Sequence, residues 1–276
     1  MAKDRVIALM SDWGTDDGSV GSVKGVILGI DPGANIVDMS HNVASYGIEQ
    51  GAFLLMAHYR TYPKGTIFMV VVDPGVGTKR KAILVENYSG YFFLGPDNGV
   101  LSWALQKEKE PIKRIIDVTN EEYFRKPVSN SFHGRDIFAP VAAHLSRGVP
   151  ADHFGEDIHI FDIVWADYPL EITDTQIIGE ILYTDKFGNL ITSIRKSDFD
   201  FIPSGNIKNL ELKVGKATIR KLSNAYEDGK GSGEPLAIFG GDFGDLLDIA
   251  LYEGNVAEKL GVKVGDKVTI ARGDRN

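Results

Sequence analysis

The first strong signal along the chain is an unbroken apolar run, Val6 to Met10 in "RVIALMSD", that stops at Ser11 and Asp12. A short continuous run of this kind suits a strand covered on both faces. The period then changes. Val20, Val23, Ile27 and Ile30 recur three and four apart, one face of a helix, until Asp31-Pro32 ends it. "ANIVDMS" reads as a second strand, and Ile48, Ala52, Leu55 and Tyr59 mark a second helix. "GTIFMVVVD", Gly65 to Asp73, is again continuously apolar, as a central strand would be. "KAILVEN" and "GYFFLGPD" predict two further strands, "GVLSWALQ" a helix, and Phe138, Val141, Ala142 and Leu145 another helix introduced by "HGRD". The β-α-β-α-β order predicts an α/β domain with a mostly parallel central sheet.

After about residue 165 the texture is different. "TQIIGEILYTD", "GNLITSI", "NLELKVGKATIRKL", "PLAIFGGD", "LLDIALYEG" and "KVTIAR" are short runs, often alternating, separated by Gly, Asn and Asp turns. This pattern predicts a smaller antiparallel β-barrel with a single short helix at "NVAEKLG". Pro169 and the charges in "DIVWADYPLEITD" interrupt the periodicity, which places the domains at 1–168 and 169–276.

Composition narrows the function. The chain has 276 residues, 43% apolar and 25% charged, as expected of a soluble globular protein. A net charge of −8 argues against nucleic acid or an anionic membrane as partner. With no cysteine, disulfides, thiolate metal sites and cysteine nucleophiles are all excluded. The N-terminal apolar run is too short for a secretory signal and no apolar stretch is long enough to span a bilayer, so a cytoplasmic location is expected.

Polar clusters fall where the predicted strands of the first domain end: "SDWGTDDG", "DPGVGTKR" and, before a helix, "NSFHGRD". Ligands of open α/β sheets bind at the carboxyl ends of strands, so the placement favours a site. Asp16 and Asp17 suit helix capping, whereas Asp12 stands directly at a strand end. "DPGVGTKR" lacks the spacing of a P-loop or a dinucleotide fingerprint. Asp73 and Arg80 can meet across its turn, either as a site or as a structural ion pair. The histidines form no i, i+4 zinc pair. A metal-dependent phosphoesterase would have to be built on Asp12, Asp73 and His133.

Taken together, "SDWGTDDGSVGSVKGVI", "VVDPGVGTKRKAI", "GPDNGVLS", "NSFHGRDIFAPVAAHL" and "TDKFGNLITSI" resemble, in order and over nearly the whole chain, the S-adenosyl-L-methionine hydroxide adenosyltransferases, which are related in fold to the adenosyl fluorinase and chlorinase. The resemblance implies an enzyme that hydrolyses S-adenosyl-L-methionine to adenosine and L-methionine by attack of water or hydroxide on C5′, with no cofactor or metal. It implies a homotrimer with substrate held between one subunit's first domain and its neighbour's second. The family's Asp-Arg-His set falls on Asp73, Arg80 and His133, with Asp73 or His133 as base; the halogenases carry an aromatic residue in place of that aspartate. By the same resemblance Asp12 holds the ribose hydroxyls, Tyr46 and Phe132 line the ribose pocket, Asp185 binds the methionine ammonium, and Phe187, Asn189 and Tyr226 contact adenine. Asp242, in "GGDFGDLLDIA", falls in the segment that grips the methionine carboxylate, which an aspartate repels. The same pocket without turnover would make a nucleoside-binding module.

Overall fold

A computed structural model describes residues 5–106, 111–201, 210–220, 222–241 and 243–272. The chain divides into two compact units, Met1–Ala166 and Asp167–Asn276.

In the first unit β1 (Val6–Ser11), α1 (Ser19–Ile30), β2 (Asn35–Ser40), α2 (Ile48–His58) and β3 (Ile67–Val71) follow the predicted alternation. They are followed by β4 (Ala82–Asn87), β5 (Phe92–Pro96), α3 (Ser102–Gln106), β6 (Ile112–Val118), α4 (Ala139–Ser146) and β7 (Gly155–Asp157). The strands form one sheet in the order β2-β1-β3-β5-β4-β6-β7. The pairs β2/β1, β1/β3 and β3/β5 are parallel and the rest antiparallel. Because β2 lies on one side of β1 and β3 on the other, the winding reverses between β1 and β3, and a crevice opens at their carboxyl ends.

Alternation within β3 shows how both faces of the sheet are covered. Ile67, Met69 and Val71 pack with Val23 and Ile27 of α1 and with Val141 and Leu145 of α4. Phe68 points the other way, stacked on Phe93 at 5.4 Å and edge-on to Tyr59 just beyond α2. This is why the run reads as uniformly apolar.

β6 and β7 are strands that hydropathy does not reveal. Lys113 and Arg114 interrupt the apolar pattern of β6, and their exposed side chains ion-pair with Glu86 and Asp152 at the sheet's far side. The start of the helix after "HGRD" also differs from expectation. Gly134–Phe138 forms a π-type turn that runs directly into α4, with Pro140 in the first turn, where its missing N–H costs nothing.

The second unit is an almost wholly antiparallel, barrel-like sheet in the order β12-β11-β16-β9-β10-β15-β14-β13, with β8 added beside β9. Its strands are β8 (Leu170–Ile172), β9 (Gln176–Thr184), β10 (Leu190–Arg195), β11 (Leu210–Val214), β12 (Ala217–Ile219), β13 (Leu222–Ser223), β14 (Leu236–Phe239), β15 (Leu246–Ala250) and β16 (Lys267–Arg272). Among the described residues only the β13/β14 pair is parallel. The core is aliphatic, with Ile177, Ile181, Leu190, Leu247, Ile249 and Ile270 in one cluster. "NLELKVGKATIRKL" turns back at Gly215 into the β11/β12 hairpin. The short helix is α5 (Val256–Leu260), capped by the Asn255 side chain on the Glu258 N–H and closed by Gly261 in the left-handed region.

Asp136 anchors the segment that delivers His133. Its carboxylate is fully buried and accepts hydrogen bonds from Arg135 Nε (2.7 Å), Arg125 Nη1 (3.1 Å) and the Ser129 N–H (2.9 Å). Burial pushes its pKa up, but Arg135, Ser129 and Arg125 outweigh this and hold it below the usual carboxylate range. Asp136→Ala should therefore lower unfolding stability by about 3 kcal/mol at neutral pH, measured by urea titration. Because the folded pKa is depressed, the ionic part of this contribution is present above about pH 4 and lost as pH falls further, so the gap to wild type should narrow there.

Candidate active site

Asp12 follows β1 and Asp73 stands two residues after β3, so the register of these parallel neighbours, with Ser11 opposite Val71, brings both carboxylates to one edge of the sheet. Asp12 Oδ2 accepts the Tyr46 N–H at 2.9 Å. To present that N–H, Tyr46 adopts φ +65°, an uncommon conformation for a residue with a side chain, and its ring stays 73% exposed.

The loop from Asp73 to Arg80 is a chain of local turns. Val76 N–H donates to the Asp73 carbonyl (3.2 Å), Thr78 N–H to the Gly75 carbonyl (3.1 Å), and Arg80 N–H to Thr78 Oγ1 (3.3 Å). The turns fold Arg80 back onto Asp73, with Arg80 Nε 3.0 and 3.1 Å from the two carboxylate oxygens and Nη2 also donating to Oδ2. Gly77, at φ +76°, lies so close to the Asn130 carbonyl that any Cβ would collide with it. That contact seats the Asp73–Arg80 loop against "NSFHG" and brings Arg80 Nη2 within 2.9 Å of His133 Nδ1.

The charge state follows from the donors. A guanidinium can only donate, so His133 Nδ1 accepts and the imidazole proton resides on Nε2. Burial lowers the His133 pKa and the Arg80 charge lowers it further, against smaller opposing effects of Asp73 and Asp136. The imidazole is thus neutral at pH 7. The Asp73 and Arg80 side chains are only 5% and 11% exposed, so this ion pair is held largely out of water.

A cavity of about 250 Å³ opens on this set, lined by Asp12, Trp13, Tyr46, Asp73, Phe132 and His133 among others. Sequence reasoning did not single out Trp13. Its ring packs edge-on to Phe132 at 5.3 Å and fills the space over Gly134, where a Cβ would strike it. Gly134 therefore makes room for Trp13, and the position of Trp13 directly after Asp12 was the available signal. Asp17 accepts the Ser19 N–H at 2.9 Å at the start of α1, a capping role, and Asp16 is exposed. Arg135 serves the buried Asp136 and not the cavity.

In the second unit Asp185, Phe187, Asn189 and Tyr226 line a separate cavity of about 710 Å³. Asp185 closes its hairpin turn, Oδ1 accepting the Phe187 and Asn189 N–H groups (2.8 Å each) and Oδ2 the Asn189 Nδ2 (2.9 Å). Phe187 and Tyr226, 64% and 40% exposed, offer aromatic faces. The Tyr226 hydroxyl reaches Asp248 Oδ2 at 3.4 Å, and Gly241 has no space for a side chain beside that carboxylate. Asp242 lies outside the described residues. Among the described residues no group of three or more His, Asp or Glu side chains is arranged to hold a metal ion.

The model of the SAM hydroxide adenosyltransferase N-terminal domain matches residues 7–155, and that of the C-terminal domain matches residues 179–269. The chain belongs to this family. It is 38% identical over 200 residues to an (R)-S-adenosyl-L-methionine hydrolase of Methanocaldococcus jannaschii, covering 71% of this chain and 69% of the relative. To the (R)-S-adenosyl-L-methionine hydrolase of Thermus thermophilus it is 31% identical, covering 96% and 99%. A crystal structure of a conserved protein from Thermotoga maritima superposes with a TM-score of 0.86 at 34% identity, covering 96% of this chain and all of that one.

For a member of the SAM hydroxide adenosyltransferases, two glycine contacts shape this part of the molecule. Gly134→Ala should displace the Trp13 ring, shift tryptophan fluorescence and cost about 1–3 kcal/mol. Gly77→Ala adds backbone strain to a clash with rigid backbone, and should lower Tm more than Gly134→Ala.

Proposed function

We propose that this protein hydrolyses S-adenosyl-L-methionine to adenosine and L-methionine, with Asp73, Arg80 and His133 acting on the attacking water. The observation that carries the reading is the Asp73–Arg80–His133 hydrogen-bonded set, of which Asp73 and His133 line a cavity together with Asp12. The relatives named as S-adenosyl-L-methionine hydrolases support it.

The sulfonium makes methionine a good leaving group, so the protein needs neither a covalent intermediate nor an acid for that end. It needs a water held in line with the C5′–S bond and partly stripped of solvent. His133 Nε2–H donates to that water and fixes its orientation. Asp73 accepts its proton, because the His133 Nδ1 lone pair already receives Arg80. As the O–C5′ bond forms, the C5′–S electron pair returns to sulfur, and Arg80 stabilises the developing hydroxide character. No metal is required by this chemistry.

Asp12, with Oδ2 tied to Tyr46 N–H, keeps Oδ1 for the ribose hydroxyls, beside Tyr46 and Phe132. The aromatic faces of Phe187 and Tyr226, with Asn189, suit adenine, and Asp185 suits the methionine ammonium. We place the reaction in a cytoplasmic homotrimer in which neighbouring subunits combine the two sets of residues.

Purified protein incubated with S-adenosyl-L-methionine should release equal amounts of adenosine and methionine by liquid chromatography. Asp73→Ala should reduce the rate about 100-fold or more, and EDTA should leave it unchanged. Loss of this turnover with EDTA would show a metal at work; chelator-sensitive cleavage of a phosphate ester, with no adenosine released from S-adenosyl-L-methionine, would point to a metal-dependent phosphoesterase, and nucleoside binding without turnover to a binding module. Since His133 must stay neutral to accept from Arg80, the rate should fall on the acid side only below the ordinary imidazole range of about 6.5.

Light scattering of a dilute sample should give about three times the 30.2 kDa of one chain. A monomer that turns over at the same rate would contradict a shared site.

A further inference from the structure

Behind Asp12 lies a second hydrogen-bonded connection, buried at Ser11 and His41 and reaching the surface at Asp38 and Lys24, that the reaction chemistry above does not use. Ser11 Oγ is 2.8 Å from His41 Nδ1, His41 Nε2 is 3.0 Å from Asp38 Oδ1, and Lys24 Nζ donates to Asp38 Oδ2 at 2.6 Å. Ser11 is 1% and His41 5% exposed. The order Ser-His-Asp invites comparison with a hydrolytic triad, but two facts oppose it. The hydroxyl is sealed from solvent, and the ring is reversed, Nδ1 facing the serine and Nε2 the carboxylate.

The proton positions are fixed by the end of the chain. Burial pushes the Asp38 pKa up, but hydrogen bonds from Lys24 and His41 outweigh it and keep the carboxylate ionised, able only to accept. His41 therefore carries its proton on Nε2, and Ser11 donates to Nδ1 while its oxygen accepts the Trp13 N–H at 3.5 Å. The backbone follows the same route. Gly14 N–H donates to the His41 carbonyl at 2.8 Å, and Val43 N–H to the Ser11 carbonyl at 3.4 Å. His41 is thus tied to both loops at this end of the cavity, the one holding Asp12 and the one ending at Tyr46, whose N–H returns to the Asp12 carboxylate.

We propose that Ser11, His41 and Asp38 are positioning residues that fix the Asp12 carboxylate for a vicinal diol and so set substrate affinity without entering the bond-making step. The inference rests on the reading of Asp12 as the ribose ligand. His41→Ala removes the side-chain link from Ser11 to Asp38 and leaves only the backbone bonds between the two loops, so Asp12 loses its fixed orientation while Asp73, Arg80 and His133 keep theirs.

The test compares wild type with His41→Ala, Ser11→Ala, Asp38→Ala and Asp38→Asn. It measures KM and kcat on S-adenosyl-L-methionine, together with calorimetric affinities for adenosine and for 2′,3′-dideoxyadenosine, which lacks the diol. His41→Ala, Ser11→Ala and Asp38→Ala should raise KM and weaken adenosine about tenfold, with kcat within about twofold and dideoxyadenosine binding unchanged. Asp38→Asn keeps a carbonyl acceptor for Nε2–H and should remain near wild type. If His41→Ala does not fold, the Ser11→Ala and Asp38 pair decides.

A uniform loss of kcat and of both nucleosides, the mark of general loosening, would overturn the proposal, as would variants with the wild-type preference for adenosine. Should wild type prefer adenosine over its dideoxy form yet fail to turn over S-adenosyl-L-methionine, the reaction assignment falls while the expected variant pattern still supports the relay. A wild type that does not distinguish the two nucleosides would overturn the reading of Asp12 as the ribose ligand and the proposal that rests on it, while the reaction assignment stands or falls with the turnover measurement.

Discussion

The close approach of the Gly77 α-carbon to the Asn130 carbonyl is the contact on which the geometry of the Asp73–Arg80–His133 set depends. It seats the loop after β3 against the loop before α4, two segments more than fifty residues apart in sequence. Arg80 then directs Nε and Nη2 to the Asp73 carboxylate on its own loop and Nη2 also to the His133 ring on the other, with Nη1 on the Lys81 carbonyl at 3.4 Å. A side chain at Gly77 would hold the loops apart, and the guanidinium would keep one partner and lose the second. The other end of the His133 segment is fixed independently by Asp136, whose buried carboxylate gathers Arg125, Arg135 and the Ser129 N–H. His133 is therefore held between two anchors, neither of which it supplies.

That arrangement also decides the division of labour among the three groups. A largely buried ion pair is costly to desolvate and returns little net stability, so stability alone is a poor reason for its presence. Its value lies in what it imposes on the imidazole. Arg80 both occupies Nδ1 and lowers the ring's proton affinity, leaving a neutral histidine with a fixed Nε2–H. A carboxylate and a neutral donor thus line one cavity with a cation bonded to both, the arrangement on which the proposed hold on a water rests.

Much of the first unit was legible because its strands are covered on both faces, so continuous apolar runs and helical spacing stand out. Ile7 to Met10 and Ile67 to Val71 are cases where the pattern and the burial agree residue by residue. β6 escaped notice because Lys113 and Arg114 serve ion pairs away from the core. The Asp73, Arg80 and His133 set was reachable through ordered motifs, whereas its hydrogen-bond directions were not, since tautomer and donor assignment depend on distances that spacing does not encode. Gly134 shows the limit from the other side. The space over its α-carbon belongs to the ring of Trp13, a residue more than one hundred positions away to which no spacing in the sequence connects it.

His41 was similarly opaque. A lone histidine after a strand carries no motif, and its connection to Ser11 and Asp38 exists only because β1 and β2 are parallel neighbours, with Asp38 opposite Leu9. Parallel pairing aligns strand ends, so whatever follows β1 and β2 emerges at the same edge and must share the space there. In this molecule the shared space is filled by a hydrogen-bonded chain in which each donor has an acceptor, from Lys24 through Asp38 and His41 to Ser11. An apolar filling would stabilise the sheet equally well but would leave the loop ends free to choose their orientation. Directional bonds remove that choice, and they do so one residue before Asp12, the carboxylate proposed to grip a diol.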